Sequence, residues 1–136
     1  MKKIYIVLII FLTTGTCWSD VLIVLNKNVV DTIITRENIQ DIFLGKKVQW
    51  SDNTKIHIAT SQNADLHSAF LRDFIKRSPN QYKDYWRRMV FTGKGKTPRK
   101  FESVDVLLKY VAKTKGAIGY INKDVTAVNV NTIAVQ

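Results

Sequence analysis

Apolar positions along the chain change their spacing several times, and each change marks an element. Asp20 to Leu25 (DVLIVL) is a continuous β-branched and apolar run, the pattern of a strand covered on both faces. Thr35 offers an N-cap, Ile39, Ile42 and Phe43 follow at helical spacing, and Gly45 supplies a stop. Trp50 to Lys55 (WSDNTK) is turn chemistry, and Lys55 to Thr60 (KIHIAT) alternates as a strand does. From Ala64 to Ile75, Leu66, Phe70 and Phe74 recur every four residues and predict a helix. Ser78-Pro79 is an N-cap followed by a first-turn proline, after which Tyr82, Tyr85, Trp86, Met89 and Val90 form one helical stripe. Phe91 to Lys100 (FTGKGKTPRK) reads as a loop. Ser103 caps a further helix carrying Val104, Leu107, Leu108 and Val111, which Gly116 closes. Ala117–Ile121 and Val128–Val135 predict closing strands. The expected order is β-α-β-α-α-α-β-β, an α/β domain without internal repeat or linker.

The first nineteen residues stand outside this pattern. Met1-Lys2-Lys3 is a positive start, Ile4–Leu12 is an apolar run of nine residues, and Thr13–Ser19 is short and mostly small. That order predicts a signal peptide cleaved near Ser19. The run is well short of the roughly 20 residues that cross a bilayer as a helix. Residues 20–136 are then expected to act in the periplasm or outside the cell, as one domain. Cleavage removes Cys17, the only cysteine, so the core alone must hold the fold. It also removes Lys2 and Lys3, leaving 19 basic residues against 11 acidic ones, a net charge of +8. Such a charge favours anionic partners, and export argues against nucleic acid.

Candidate chemistry is sparse. Gly95-Lys96-Thr97 imitates the end of a phosphate-binding P-loop, but the glycine required five positions earlier is Val90. His57 and His67, without cysteine, match no zinc spacing, so no metal or other cofactor is expected. Ser61 and Ser68 lack a nucleophile elbow, so an enzyme is not expected. The aromatic stripe of Tyr82, Tyr85 and Trp86 reads as a core face, with Lys83, Arg87 and Arg88 on a solvated back. Lys94, Lys96, Arg99 and Lys100 put four cations into seven residues of a glycine-containing loop, and packing does not account for them. Ala59–His67 (ATSQNADLH) leaves a strand and enters a helix, which makes it the best candidate binding loop.

Several stretches together resemble a known family. Ile39–Lys46 (IQDIFLGK) followed by Trp50-Ser51-Asp52, then Gly93-Lys94-Gly95, then Gly116–Ile121 (GAIGYI), is similar in order and spacing to the phosphate-binding proteins of ABC transporters. These are type II periplasmic binding proteins, whose two α/β lobes close over a ligand. The resemblance covers only their second lobe and implies a three-layer lobe with a mixed sheet flanked by helices. It also implies a small anion such as phosphate as the ligand. Ser61 stands where the family has a ligand-binding arginine, and Asp65-Leu66-His67 where it has a Ser-Gly-Thr run, so the charge-assisted grip is absent. A helix-dipole contact is worth about 0.3–1 kcal/mol, against the roughly 8 kcal/mol of micromolar capture. Two functions follow as expectations. The first is a non-enzymatic binding or accessory module of the cell envelope, reaching an ABC permease, a sensor ectodomain or an outer-membrane protein through Lys94–Lys100. The second is a small-anion binder that completes its cleft by dimerising, with Ser61, Asn63, His67, Lys94 and Lys96 converging on the ligand.

Overall fold

The computed structural model describes residues 20–31, 33–133 and 135. The expected signal peptide, residues 1–19, lies outside the described residues.

The chain forms one five-stranded mixed sheet. Its strands are β1 (Val21–Leu25), β2 (His57–Ser61), β3 (Arg99–Phe101), β4 (Ala117–Asn122) and β5 (Asn131–Ile133), in the spatial order β3-β2-β4-β1-β5. β2 runs parallel to β3 and β4, whereas β1 is antiparallel to both β4 and β5. The helices are α1 (Arg36–Phe43), α2 (Ala64–Phe70), α3 (Pro79–Phe91) and α4 (Val104–Lys113). α2 continues into a single π-helical turn, Leu71–Ile75.

Alternation along the central strands builds two cores. Ile23 and Leu25 of β1 and Ile118 and Tyr120 of β4 face the layer made by α1, α2, the π turn and α3. Val24, Ala59, Ala117 and Ile121 face α4, which contributes Leu107, Leu108 and Val111. The arrangement is therefore three layers, as expected.

Capping residues set the helix starts. Thr35 and Ser78 each form a reciprocal capping box, with Asn38 and Gln81 respectively, and Pro79 opens α3. The aromatic stripe of α3 lies inward, as the pattern predicts, and also caps its neighbour. Tyr82 Oη and Trp86 Nε1 donate to the Phe43 carbonyl at 2.9 and 3.1 Å, and Tyr85 Oη donates to Leu44 O at 2.6 Å. These bonds satisfy carbonyls that the end of α1 leaves without helical partners. The Trp86 ring is held between two glycines. A Cβ on Gly45 would meet it at 2.8 Å and one on Gly95 at 3.2 Å. The IFLGK and GKG stretches thus meet around one indole.

The structure corrects the expected elements in three places. Phe91–Lys100 is not wholly loop, because Arg99–Phe101 forms β3 beside β2 at the sheet edge. The predicted helix Ala64–Ile75 changes to a π turn after Phe70, which lets Phe70, Leu71, Phe74 and Ile75 all point inward. The last strand is only Asn131–Ile133; Asn129, at φ 60°, breaks the run before it.

Candidate functional site

In an open α/β sheet, ligands sit in the crevice beyond the carboxyl ends of the parallel strands. Here those ends are Ser61 of β2, Phe101 of β3 and Asn122 of β4, with the start of β1 alongside. The loop from Ser61 into α2 is tied to itself. Asn63 N donates to Ser61 Oγ at 3.1 Å, and Leu66 N donates to Asn63 Oδ1 at 3.0 Å. Gln62 N donates to Phe101 O at 2.9 Å.

Tyr120 connects this loop to His67. Its ring is buried, stacked on Phe70 with centroids 3.9 Å apart and planes 9° apart. Its hydroxyl accepts from Ser61 N at 3.0 Å and lies 2.5 Å from His67 Nδ1. A neutral phenol has one proton to give; given to Nδ1, it leaves the proton of a neutral His67 on Nε2. Two shifts agree with a neutral pair. Burial pushes the Tyr120 hydroxyl well above the usual phenol range. Burial, followed by the charge of Lys100, lowers the His67 pKa and keeps the ring neutral. Neither Ser61 nor Ser68 shares a hydrogen bond with His67 among the described residues.

The five expected site residues do not share one cavity. Ser61, Asn63 and His67 belong to the hydrogen-bonded loop just described. Asn63 borders a crevice of about 750 Å³ at the carboxyl ends, whose charged lining is Asp20, Asp65, Asp124 and Lys123. Three carboxylates against one ammonium oppose an anion. His67 instead lines a groove of about 590 Å³ beside α3, together with Lys100. Lys94 and Lys96 line a third cavity, of about 420 Å³, with Lys55, His57 and Arg99. Within one chain the loop lysines therefore line a different cavity from those of Asn63 and His67.

The cation cluster divides in the same way. Arg99 and Lys100 are strand residues, and charge on an edge strand discourages sheet-to-sheet pairing. The Arg99 guanidinium also covers the rings of Phe101 and Tyr110, at 5.3 and 5.2 Å. Lys94 and Lys96 are exposed and have no ion-pair partner among the described residues.

Sequence reasoning missed Tyr120 and the approach of Lys100 to His67. Tyr120 sits in the GAIGYI stretch, where its alternation with Ile118 signals only a core position. No group of acidic, histidine or cysteine side chains among the described residues is suited to a metal ion. No helix among them is long and apolar enough to cross a membrane.

No family model matches the chain, and neither does any curated protein sequence. Solved structures do match. An ABC-type phosphate transport receptor from Vibrio cholerae is 18% identical with a TM-score of 0.58, over 85% of this chain and 46% of that one. PstS from Borrelia burgdorferi gives 16% and 0.63, over 85% of this chain and 47% of that one. A putative phosphate ABC transporter substrate-binding protein from Clostridium perfringens, solved with bound phosphate, gives 16% and 0.63, over 85% and 44%. The chain spans less than half the length of each. At these identities the likeness is one of fold, and that fold corresponds to about half of a phosphate ABC transporter substrate-binding protein.

Proposed function

We propose that this chain is an exported, non-enzymatic, single-lobe relative of the phosphate-binding proteins, acting as a binding or accessory module in the cell envelope. The observation that carries this reading is the state of the carboxyl-end crevice. The N–H groups of Ser61, Asn63 and Leu66, where the fold would present donors to an anion, are consumed within the protein. Asp20, Asp65 and Asp124 then line the adjoining space. What the fold offers instead is basic surface. Lys94 and Lys96 stand in solvent, positioned by the Gly95–Trp86 contact, and suit an acidic patch on an envelope protein such as an ABC permease, a sensor ectodomain or an outer-membrane protein.

Photo-crosslinking in living cells tests this, with the crosslinking group placed at Thr92, beside the two lysines. One envelope-protein adduct is expected, falling about tenfold or more when Lys94→Glu and Lys96→Glu are combined, since like charges across an interface cost several kcal/mol. An adduct that ignores the charge reversal, or full chain found only in the cytoplasm with residues 1–19 attached, contradicts the reading.

A further inference from the structure

The groove beside α3 has a chemistry that none of the foregoing uses. α1, α2 and the π turn cover most of this face of the sheet, but the β2–β3 end remains open beneath α3. The space is about 590 Å³, within the range of small-ligand pockets. Tyr82 and Trp86 form its α3 wall, and Thr60 and His67 stand opposite. Thr97 and Pro98, from the segment entering β3, also line it. At the mouth, Val90 is 47% and Phe91 91% exposed.

Charge gives the groove its direction. Lys83, Arg87 and Lys100 line it, and no carboxylate does. Lys83 and Lys100 have no ion-pair partner among the described residues, and Arg87 meets only Asp84 of its own helix, at 3.4 Å in an exposed pair. His67 adds an oriented donor. Tyr120 occupies its Nδ1, so Nε2 is the ring atom left to face a ligand, as a donor when Tyr120 gives its proton to Nδ1. The carboxyl-end crevice, with its three carboxylates, has the opposite sign.

We propose that this groove binds a small organic anion with an apolar body, an aromatic or aliphatic carboxylate, sulfonate or phosphate ester. The apolar body lies against Tyr82, Trp86 and Phe91, and the anionic head meets Lys83, Lys100 and the His67 N–H. An inorganic anion would leave the aromatic wall unused, and a neutral hydrophobe would leave the cations unpaired. The inference is independent of the accessory role, because Lys94 and Lys96 line a different cavity.

Calorimetric titration of the full chain with 1-naphthoate, 1-naphthol and acetate tests it. Naphthoate should bind about tenfold or more tightly than naphthol, a difference of about 1.4 kcal/mol, and acetate should show no heat. Naphthoate should shift the NMR signals of the His67 ring and the Trp86 indole. Lys83→Glu with Lys100→Glu should weaken naphthoate about tenfold or more, whereas Lys113→Glu on the opposite face should not. Equal binding of naphthoate and naphthol, or indifference to the Lys83/Lys100 reversal, overturns the proposal. So does binding only to phosphatidylglycerol vesicles or to a glutamate-rich peptide, which would make the surface a membrane or protein contact.

Discussion

Replacing Phe70 with alanine should remove about 3–5 kcal/mol of stability, the usual cost of deleting a fully buried aromatic ring and leaving its cavity. The ring is fully buried and stands at the centre of an aromatic stack. It lies 3.9 Å from Tyr120, 4.6 Å from Phe43 and 5.5 Å from Phe74, centroid to centroid. Those neighbours belong to three different elements, β4, α1 and the π turn, so the cavity cannot close by moving one of them. Thermal unfolding followed by circular dichroism should show Tm lowered by roughly 10–20 °C for a domain of this size. The consequence reaches the site. Tyr120 is held by Phe70 and in turn holds His67 and Ser61, so the variant should also loosen the Tyr120–His67 contact. An unfolding midpoint within about 2 °C of wild type would show that the stack carries little of the core's stability.

Gly116→Ala should be nearly as damaging, although it adds only a methyl group. Gly116 sits at φ 82°, where an L-residue is strained by about 1–2 kcal/mol. Its new Cβ would lie 2.1 Å from the Lys55 carbonyl oxygen, a backbone atom that cannot rotate away. The Gly116 carbonyl also accepts from the Trp50 indole at 2.9 Å and from His57 N at 3.2 Å. Relieving the clash therefore disturbs the entry to β4, the start of β2 and the Trp50 anchor together. A loss of about 3 kcal/mol or more in denaturant unfolding is expected, from strain and overpacking combined. A loss below about 1 kcal/mol would mean that the Thr54–Lys55 turn shifts freely.

Much of this fold is legible from residue pattern. Ser78-Pro79 announces α3, and Ala117–Ile121 announces a strand, which the structure places between two layers. Other parts depend on partners far away in the chain. β3 is three residues long and begins Arg-Lys; it is a strand only because β2 lies beside it in parallel. The π turn escapes a period-four reading because Leu66, Phe70 and Phe74 satisfy that period on both sides of the slip.

The site was less legible for a similar reason. Ser61, Asn63 and His67 are close in sequence, and their loop is recognisable from its strand-to-helix position. What decides their chemistry is Tyr120, whose hydroxyl crosses 59 residues to Ser61 and 53 to His67. Asp20 and Asp124 reach the crevice because β1 and β4 are paired there, which no local pattern shows. Pairing of Arg99–Phe101 with β2 fixes the preceding segment and turns Lys94 and Lys96 toward His57.

The central claim is that the fold of a phosphate-binding lobe persists here without the capture of phosphate. Calorimetric titration of the full chain with inorganic phosphate, at neutral pH and low salt, tests it most directly. The account predicts no saturable heat up to millimolar phosphate, corresponding to a free energy weaker than about 4 kcal/mol. Saturable binding at micromolar phosphate, abolished by Ser61→Ala or His67→Ala in protein that remains folded, would contradict it and restore the anion-binding cleft.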